Sequence, residues 1–295
     1  MSRAEKAAVA DLPSTPLGRV TVVVVNYNSG HWLKRCVRAL KGRGRRFPEM
    51  IVLDNASCDG SLEELPVMAG LRTLRSDENL GFARGVNRAA REVKTPYLLV
   101  INPDCLLVPE GLARLVKDLD EHPEAALVSG RIFDMSGNEQ RGSRRQLPGP
   151  RRVLNELIPL RSGNGVDLTH LPAPDSPTAV EAVSGACMLI RREAFEALGG
   201  LDAAYPMHFE DLDFMARLAR AGWQVRLVPD VAISHAGGVS SRHRPVRVML
   251  DKHRGLWRYL NRHCHDRWPL WQRPIWALGI ALHALLMVPL SLWRR

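Results

Sequence analysis

Apolar runs alternate with amphipathic stretches along the first half of the chain. Val20 to Val25 is β-branched throughout, without polar alternation, which predicts a strand buried on both faces of a parallel sheet. It ends at Asn26, and apolar positions then recur at helical spacing from His31 to Leu40. The scheme repeats with Ile51 to Leu53, the polar stretch Asp54 to Ser61, and a further helix. A short strand in LRTLR leads through a turn to a helix from about Phe82. Tyr97 to Ile101 predicts a fourth strand, and a helix follows from about Pro109 to Glu121. This alternation predicts an α/β fold, a Rossmann-like, mainly parallel open sheet with helices on both faces. The polar clusters all follow strand carboxyl ends, where such sheets bind ligands.

The pattern lapses from Ser136 to Pro177, a Gly-, Pro- and Arg-rich segment with one short apolar piece, VLNELIPL. Long irregular segments in compact domains are usually functional loops or disordered. Order returns with a strand from Ala179 to Ile190 and a helix to Leu198 that stops at Gly199 and Gly200. Short strands in VRLVPDVAISH end at His235. The division expected is a loose tail (1–18), a main domain (19–241, with an irregular loop at 136–178 on the acceptor side) and a basic, then apolar, helical tail (242–295).

Composition changes this picture at the C-terminus. The formal charge of +10 raises nucleic acid, anionic membrane and phosphorylated substrates as partners. Basic residues crowd Arg141 to Arg152 and Arg242 to Arg273, and an apolar run follows from Ile275 to Trp293. Trp268, Trp271, Trp276 and Trp293 bracket that run, a pattern that favours a membrane surface over nucleic acid. Docking on protein, including a second copy in a homodimer, is the rival reading, and a full span the least favoured, given His283, Pro289 and Ser291. Five scattered cysteines form no CxxC pair, which argues against a zinc ribbon or a disulfide framework and fits a reducing cytosol. The first residues lack the apolar core of a signal peptide.

The chain has no GxxxxGK[ST], and VVVVNYNSG has Asn and Ser where a dinucleotide-binding turn needs glycines. Nucleoside triphosphate loops and NAD are thereby set aside. Asn102, Pro103 and Asp104 follow the fourth strand, a position suited to a hard divalent cation or to a simple turn. His235 ends a later strand and is a second candidate ligand. NRHCHDRW reads as a solvated basic face rather than a metal site. HFEDLDF sets Glu210, Asp211 and Asp213 at the start of a half-apolar helix. Acids there offset the helix dipole, but a partly desolvated carboxylate can also serve as a general base.

VVVVNYNSG, VLDNASCDGS, NLGFARGVNRA, INPDCLL and VSGACMLIRREAFEALGGLD, the last leading into HFEDLDF and VPDVAISHAGG, occur in that order over Val20 to Ser240. Together they resemble family 2 glycosyltransferases of the GT-A fold, of the rhamnosyltransferase-like sort. The resemblance implies an inverting transfer of rhamnose or a related deoxyhexose, from a nucleotide-diphosphate donor such as dTDP-rhamnose. The hydroxyl that receives it belongs to a lipid-linked or cell-surface glycan. It implies that Asn26, Asn28, Asp54, Asn79, Arg84, Asn87 and Asn102 hold the nucleotide sugar. Asp104, with His235, would hold Mg²⁺ or Mn²⁺, since NPD stands where the family has its acidic metal motif. Asp211, with Glu210 second, would be the catalytic base, while Asp213 is left as a helix-terminus acid. Arg144, Arg145, Arg151 and Arg152 could meet acceptor phosphates. The place implied is cytoplasmic, peripheral to the inner face of the cell membrane. The alternative is a non-catalytic, membrane-associated scaffold of the same fold.

Overall fold

The computed structural model describes residues 15–42, 48–157, 165–238, 245–264 and 269–293, with side chains to residue 288. Residues 1–14 of the expected N-terminal tail lie outside these, as do Arg242, residues 265–268 of the NRHCHDRW cluster and the Trp293 side chain.

The strands β1 (Val20–Asn26), β2 (Glu49–Asp54), β3 (Leu71–Arg75) and β4 (Tyr97–Ile101) pair in parallel in the order β3-β2-β1-β4. Then β10 (Cys187–Arg191) joins β4 antiparallel and continues the sheet to β6 (Ala125–Phe133) and β11 (Gln224–His235). β6 and β11 pair in parallel, and two short strands, β5 (Cys105–Leu106) and β8 (Thr178–Val180), flank β11 antiparallel. The sheet is therefore parallel in its first half and mixed in its second. Arg144–Arg145 (β7) and Ala182–Val183 (β9) form a separate two-stranded ribbon.

Residues of β1 alternate between two cores. Val20, Val22 and Val24 pack with the apolar faces of α1 (His31–Lys41) and α3 (Pro109–Glu121). Val23 and Val25 pack on the other side with α2 (Phe82–Ala90), α5 (Arg192–Ala197) and α6 (Glu210–Arg220). Helices on both faces are why the run needs no polar position.

Several local expectations differ from the fold. The strand expected from Ala179 to Ile190 is broken into β8, β9 and β10, with β9 in the separate ribbon. No helix follows Ser61; the chain makes turns there, and Pro66 stops one from propagating. VRLVPDVAISH belongs to one strand rather than several: its pairing with β6 shifts register between Leu227 and Ala232. Gly130 faces that irregularity, where a Cβ would stand 2.3 Å from the Val231 carbonyl oxygen. The apolar piece in the irregular loop forms α4 (Pro150–Leu157).

α7 (Pro245–His263) and α8 (Arg273–Trp293) close the chain. Leu260 and Cys264 meet Val153, Ile280 and Trp276 in a small satellite core, and His253 and His283 bond at 2.8 Å between the helices. The opposite stripe of α8, with Ile275, Leu278, Leu282, Leu285 and Leu286, is exposed. Among the described residues no helix is long and apolar enough to cross a membrane.

Candidate functional site

The carboxyl ends of β1 and β4, the ribbon, the start of α6 and one face of α7 enclose a cleft of about 1890 Å³. Of the residues singled out from sequence, Asn28, Asn79, Arg84, Asn102, Asp104, Glu210, Asp211 and His235 line it. Asn26, Asp54 and Asn87 do not. Asn26 is buried, donates through Nδ2 to Asp54 Oδ1 (2.7 Å), Ser57 Oγ and Ser61 Oγ, and accepts from Ser29. The other oxygen of Asp54 accepts from the Ser57 N–H, so both residues tie the first two strand ends together behind the wall. Asn87 exchanges two hydrogen bonds with the Leu201 backbone, 2.7 and 2.9 Å, which anchors α2 to the segment after α5.

Asn55, passed over in the sequence, lines the wall instead. Its amide bonds Asn79, the Leu80 N–H and the Gly81 carbonyl, joining the second and third strand-end loops. Its position directly after Asp54 in LDNAS was the available signal. Arg84 projects from α2 with no hydrogen-bond or ion-pair partner among the described residues. Among the described residues four non-glycine positions have positive φ: Asn28 (48°), Ala56 (62°), His208 (64°) and Phe209 (70°). All lie at or beside the cleft, and strained backbone persists where its surroundings over-determine it.

Asp104 Oδ1 and His235 Nε2 stand 3.2 Å apart on neighbouring strand ends. Gln140 fixes the imidazole: its Nε2 donates to the His235 carbonyl, so its Oε1 accepts from Nδ1 at 2.9 Å. Nε2 is then left with its lone pair facing a carboxylate. Two acceptors at that separation need a proton or a cation between them, and a ring held through its other nitrogen is the usual support of a metal-ligating His. The pair therefore fits a divalent cation. Cys105 lies in the same cluster, but burial and nearby charges hold its thiol protonated, and its Sγ–H points to the Ala186 carbonyl.

Across the cleft the three acids of HFEDLDF differ in environment. Asp213 is fully buried and locks α6 to α7: it bonds Arg217 Nε (2.7 Å), His263 Nε2 (2.7 Å) and the Tyr205 hydroxyl (3.3 Å). It holds two elements together and does not face the cleft. Asp211 Oδ2 accepts from Arg145 Nη2 at 2.5 Å and from the Gly185 N–H at 3.1 Å, while Oδ1 accepts from the Leu212 N–H. Burial pushes the Asp211 carboxyl up, but the Arg145 charge and hydrogen bond outweigh it and hold the group below the usual carboxylate range. Glu210 has no such partner: its buried Oε2 is unbonded, and burial with the Asp211 charge pushes it up to about 8. Desolvation by the cleft wall, and then the Lys252 charge, push the His208 imidazole down to about 4, although the residue as a whole is exposed. At neutral pH His208 and Glu210 are thus neutral and Asp211 is anionic.

The arginines expected to meet phosphates are mostly engaged within the chain. Arg144 pairs with Glu139 (2.8 Å) and bonds three carbonyls, Arg145 holds Asp211, and Arg152 pairs with Glu181 (2.5 Å). Arg151 is exposed and does not line the cleft. Besides Arg145, the cleft is lined by Lys252 and Arg247 from α7 and by Arg141; of these Arg247 lies 3.8 Å from Asp251 and Arg141 pairs with Glu156.

This fold is that of GT-A glycosyltransferases. A mannosyltransferase from Pyrobaculum calidifontis, solved with GDP-Man and Mn²⁺, superposes with a TM-score of 0.59 at 22% identity, covering 97% of this chain and 81% of that one. GalNAc-T7, solved with UDP, GalNAc and Mn²⁺, does so with a TM-score of 0.56 at 18% identity, covering 73% of this chain and 43% of that one. The chain belongs to glycosyl transferase family 2, whose model matches residues 21–199. A glycosyl transferase family 21 model matches residues 173–249. An N-acetylglucosaminyl-diphospho-decaprenol L-rhamnosyltransferase of Mycobacterium tuberculosis is 30% identical, with 92% of this chain and 94% of that protein covered. Rhamnosyltransferase WbbL of Escherichia coli is 26% identical over 71% of this chain and 80% of that protein. The chain is a glycosyltransferase, and the scaffold alternative is not favoured.

Proposed function

We propose that this enzyme inverts a sugar carbon while moving rhamnose, or a related deoxyhexose, from dTDP-rhamnose to a hydroxyl of a lipid-linked glycan acceptor. The observation that carries the reading is one cleft with a cation-type Asp104–His235 pair on one wall and the Glu210–Asp211 pair on the other. End-to-end similarity to a rhamnosyltransferase that acts on a lipid diphosphate supports the choice of sugar and acceptor.

In this reading Asn28, Asn79 and Asn102 contact the nucleotide sugar and Arg84 its diphosphate, while Asn26, Asp54 and Asn87 hold the loops in place. Asp104 and His235 hold Mg²⁺ or Mn²⁺, which offsets charge developing on the departing diphosphate. Asp211 takes the acceptor proton and Glu210 orients the acceptor. One base and no protein nucleophile give a single displacement, hence inversion, through an oxocarbenium-like transition state. The exposed stripe of α8, beside the basic surface of α7, lies on the cytoplasmic face of the membrane that carries the acceptor.

The test supplies a panel of nucleotide sugars with Mn²⁺ and a lipid-linked N-acetylglucosaminyl diphosphate, and reads nucleoside diphosphate release and anomeric configuration of the product. Release from dTDP-rhamnose alone, stimulated by the lipid and abolished by chelator, is expected. Release from a hexose donor only would replace the sugar, and no binding of any donor would remove the reading. Sedimentation with anionic vesicles checks the membrane contact; a dimer without vesicle binding would assign α8 to a second copy.

A further inference from the structure

The acceptor side contains a contact that works against the proposed reaction. A general base needs a free lone pair on the oxygen that takes the proton, yet both acceptor sites of Asp211 Oδ2 are filled, one by the Gly185 N–H and the other by the Arg145 guanidinium, while Oδ1 is turned to the Leu212 N–H. Two kinds of donor hold that carboxylate. The Gly185 and Leu212 N–H groups fix its orientation and belong to the backbone. A Cβ on Gly185 would lie 2.7 Å from Asp211 Cβ and Oδ2, so the fit is close. Arg145 is different. It extends from the two-residue β7, outside the main sheet, and its Nε is buried without any acceptor. The guanidinium therefore has capacity for an anion that the protein does not supply. The same cleft presents Lys252, Arg247 and Arg141.

We infer that Arg145 is a positioning residue that masks the base until an acceptor carrying a phosphate or diphosphate draws the guanidinium off Asp211. The inference rests on the reading of Asp211 as the base. With Arg145 gone, the two backbone N–H groups still aim the carboxylate. Oδ2 then accepts the acceptor hydroxyl proton, the acceptor oxygen bonds to the anomeric carbon, and the bond from that carbon to the diphosphate oxygen breaks. The nucleoside diphosphate leaves with the bonding electrons, and the proton passes from Asp211 to solvent. Without acceptor the base stays masked, so water in the cleft is not activated and the donor is not wasted.

The charged and titratable groups around Asp211 are Arg145 from β7, His208 and Glu210 from its own segment, and Lys252 of α7 next to His208. Removing Arg145 takes away what holds the carboxyl low. The acid limb of the rate profile for the free enzyme should then move to higher pH.

The experiment compares full-length wild type, Arg145→Met, Arg145→Lys and Asp211→Asn with dTDP-rhamnose and Mn²⁺. Its three arms are no acceptor, a phosphate-free N-acetylglucosamine glycoside, and the lipid-linked diphosphate. Donor binding is checked by calorimetry. Wild type should release little dTDP without acceptor, and the acid limb of kcat should lie above that of kcat/KM with the diphosphate acceptor only. In Arg145→Met, acceptor-free release should rise several-fold, the two limbs should coincide, and the acceptor KM should increase. Arg145→Lys should fall between. Intact donor binding with unchanged hydrolysis and unmoved limbs in both variants would make Arg145 merely structural and overturn the inference. Transfer surviving in Asp211→Asn would instead remove the base reading, and the inference with it.

Discussion

The two walls of the cleft are built by different means. On the donor wall amide side chains tie neighbouring strand-end loops to one another: Asn26 to the Asp54 carboxyl group, and Asn55 to Asn79. On the acceptor wall buried charged groups join separate elements: Arg145 to Asp211, and Asp213, already paired with Arg217 of its own helix, to His263. Ties made by amide donors hold the loops together without requiring a pair of opposite charges. Buried ion pairs have two states, made and broken, and breaking one leaves an uncompensated charge. A wall that must admit a charged acceptor and then release a base is better made of the second kind. The expectations below test that contrast.

The largest effect belongs to Asp211. Asp211→Asn keeps the size and, through its one carbonyl oxygen, one of the two backbone hydrogen bonds, but cannot take a proton, so kcat should fall roughly 10²- to 10⁴-fold. Calorimetry should show donor affinity unchanged. A matching loss of donor binding would mean that the two walls are not separable.

Asp213 tests the ionic wall as structure. Asp213→Ala leaves Arg217 without its counter-charge and His263 Nε2 without its partner in the α6–α7 junction. Removing one partner of a buried pair costs about 3–5 kcal/mol, to be read from urea denaturation. The sign with pH also follows. Burial opposes ionisation of Asp213, but the His263 and Arg217 bonds hold the carboxyl below its ordinary value. Its contribution is thus present above the unfolded carboxylate range and is lost as pH falls through the folded value. Wild type should lose more stability than Asp213→Ala on acidification below about pH 4.

The same contrast explains what the sequence discloses. The donor wall is legible because each polar cluster directly follows its own apolar run, and its ties span only 24 and 28 positions, one βα unit. Even so, which Asn faces the ligand and which faces its neighbour is decided by side-chain direction, and Asn26 and Asn55 exchange the roles that reading would give them. The acceptor wall depends on pairs 66 and 50 positions apart. No periodicity connects Arg145 to Asp211, or His263 to Asp213. An Arg-rich loop therefore reads as free charge for phosphates, although folding neutralises Arg144, Arg145 and Arg152 internally. The three adjacent acids likewise look alike until the helix turns one into the α7 junction and leaves two on the cleft.

Asn26→Ala probes the donor wall. It removes the only hydrogen-bond donor to Asp54 Oδ1 among the described residues, in a fully buried setting. An unsatisfied buried acceptor costs about 1–3 kcal/mol, less than the ionic junction. The donor KM should rise while the acid limb set by Asp211 stays in place, since the affected carboxyl, Asp54, lies behind the opposite wall. A shifted limb would show that the strand-end network is electrostatically coupled to the far wall.

Glu210 gives the smallest effect. Its carboxyl is raised to about 8, by burial first and then by Asp211, so it is protonated at neutral pH. A folded value above the unfolded one means that its contribution to stability is full below about pH 4 and is lost as pH rises through the folded value. Glu210→Gln keeps a neutral group of the same shape and cannot ionise. Its urea midpoint should match wild type near about pH 5 or exceed it slightly, and should pull ahead as pH approaches about 8. Transfer at neutral pH should change only a few-fold, because an amide can still orient an acceptor hydroxyl. If the variant instead lost as much activity as Asp211→Asn, the proton would pass through Glu210. The Arg145–Asp211 pair would then be a fixed brace, and the acceptor wall would be as static as the donor wall.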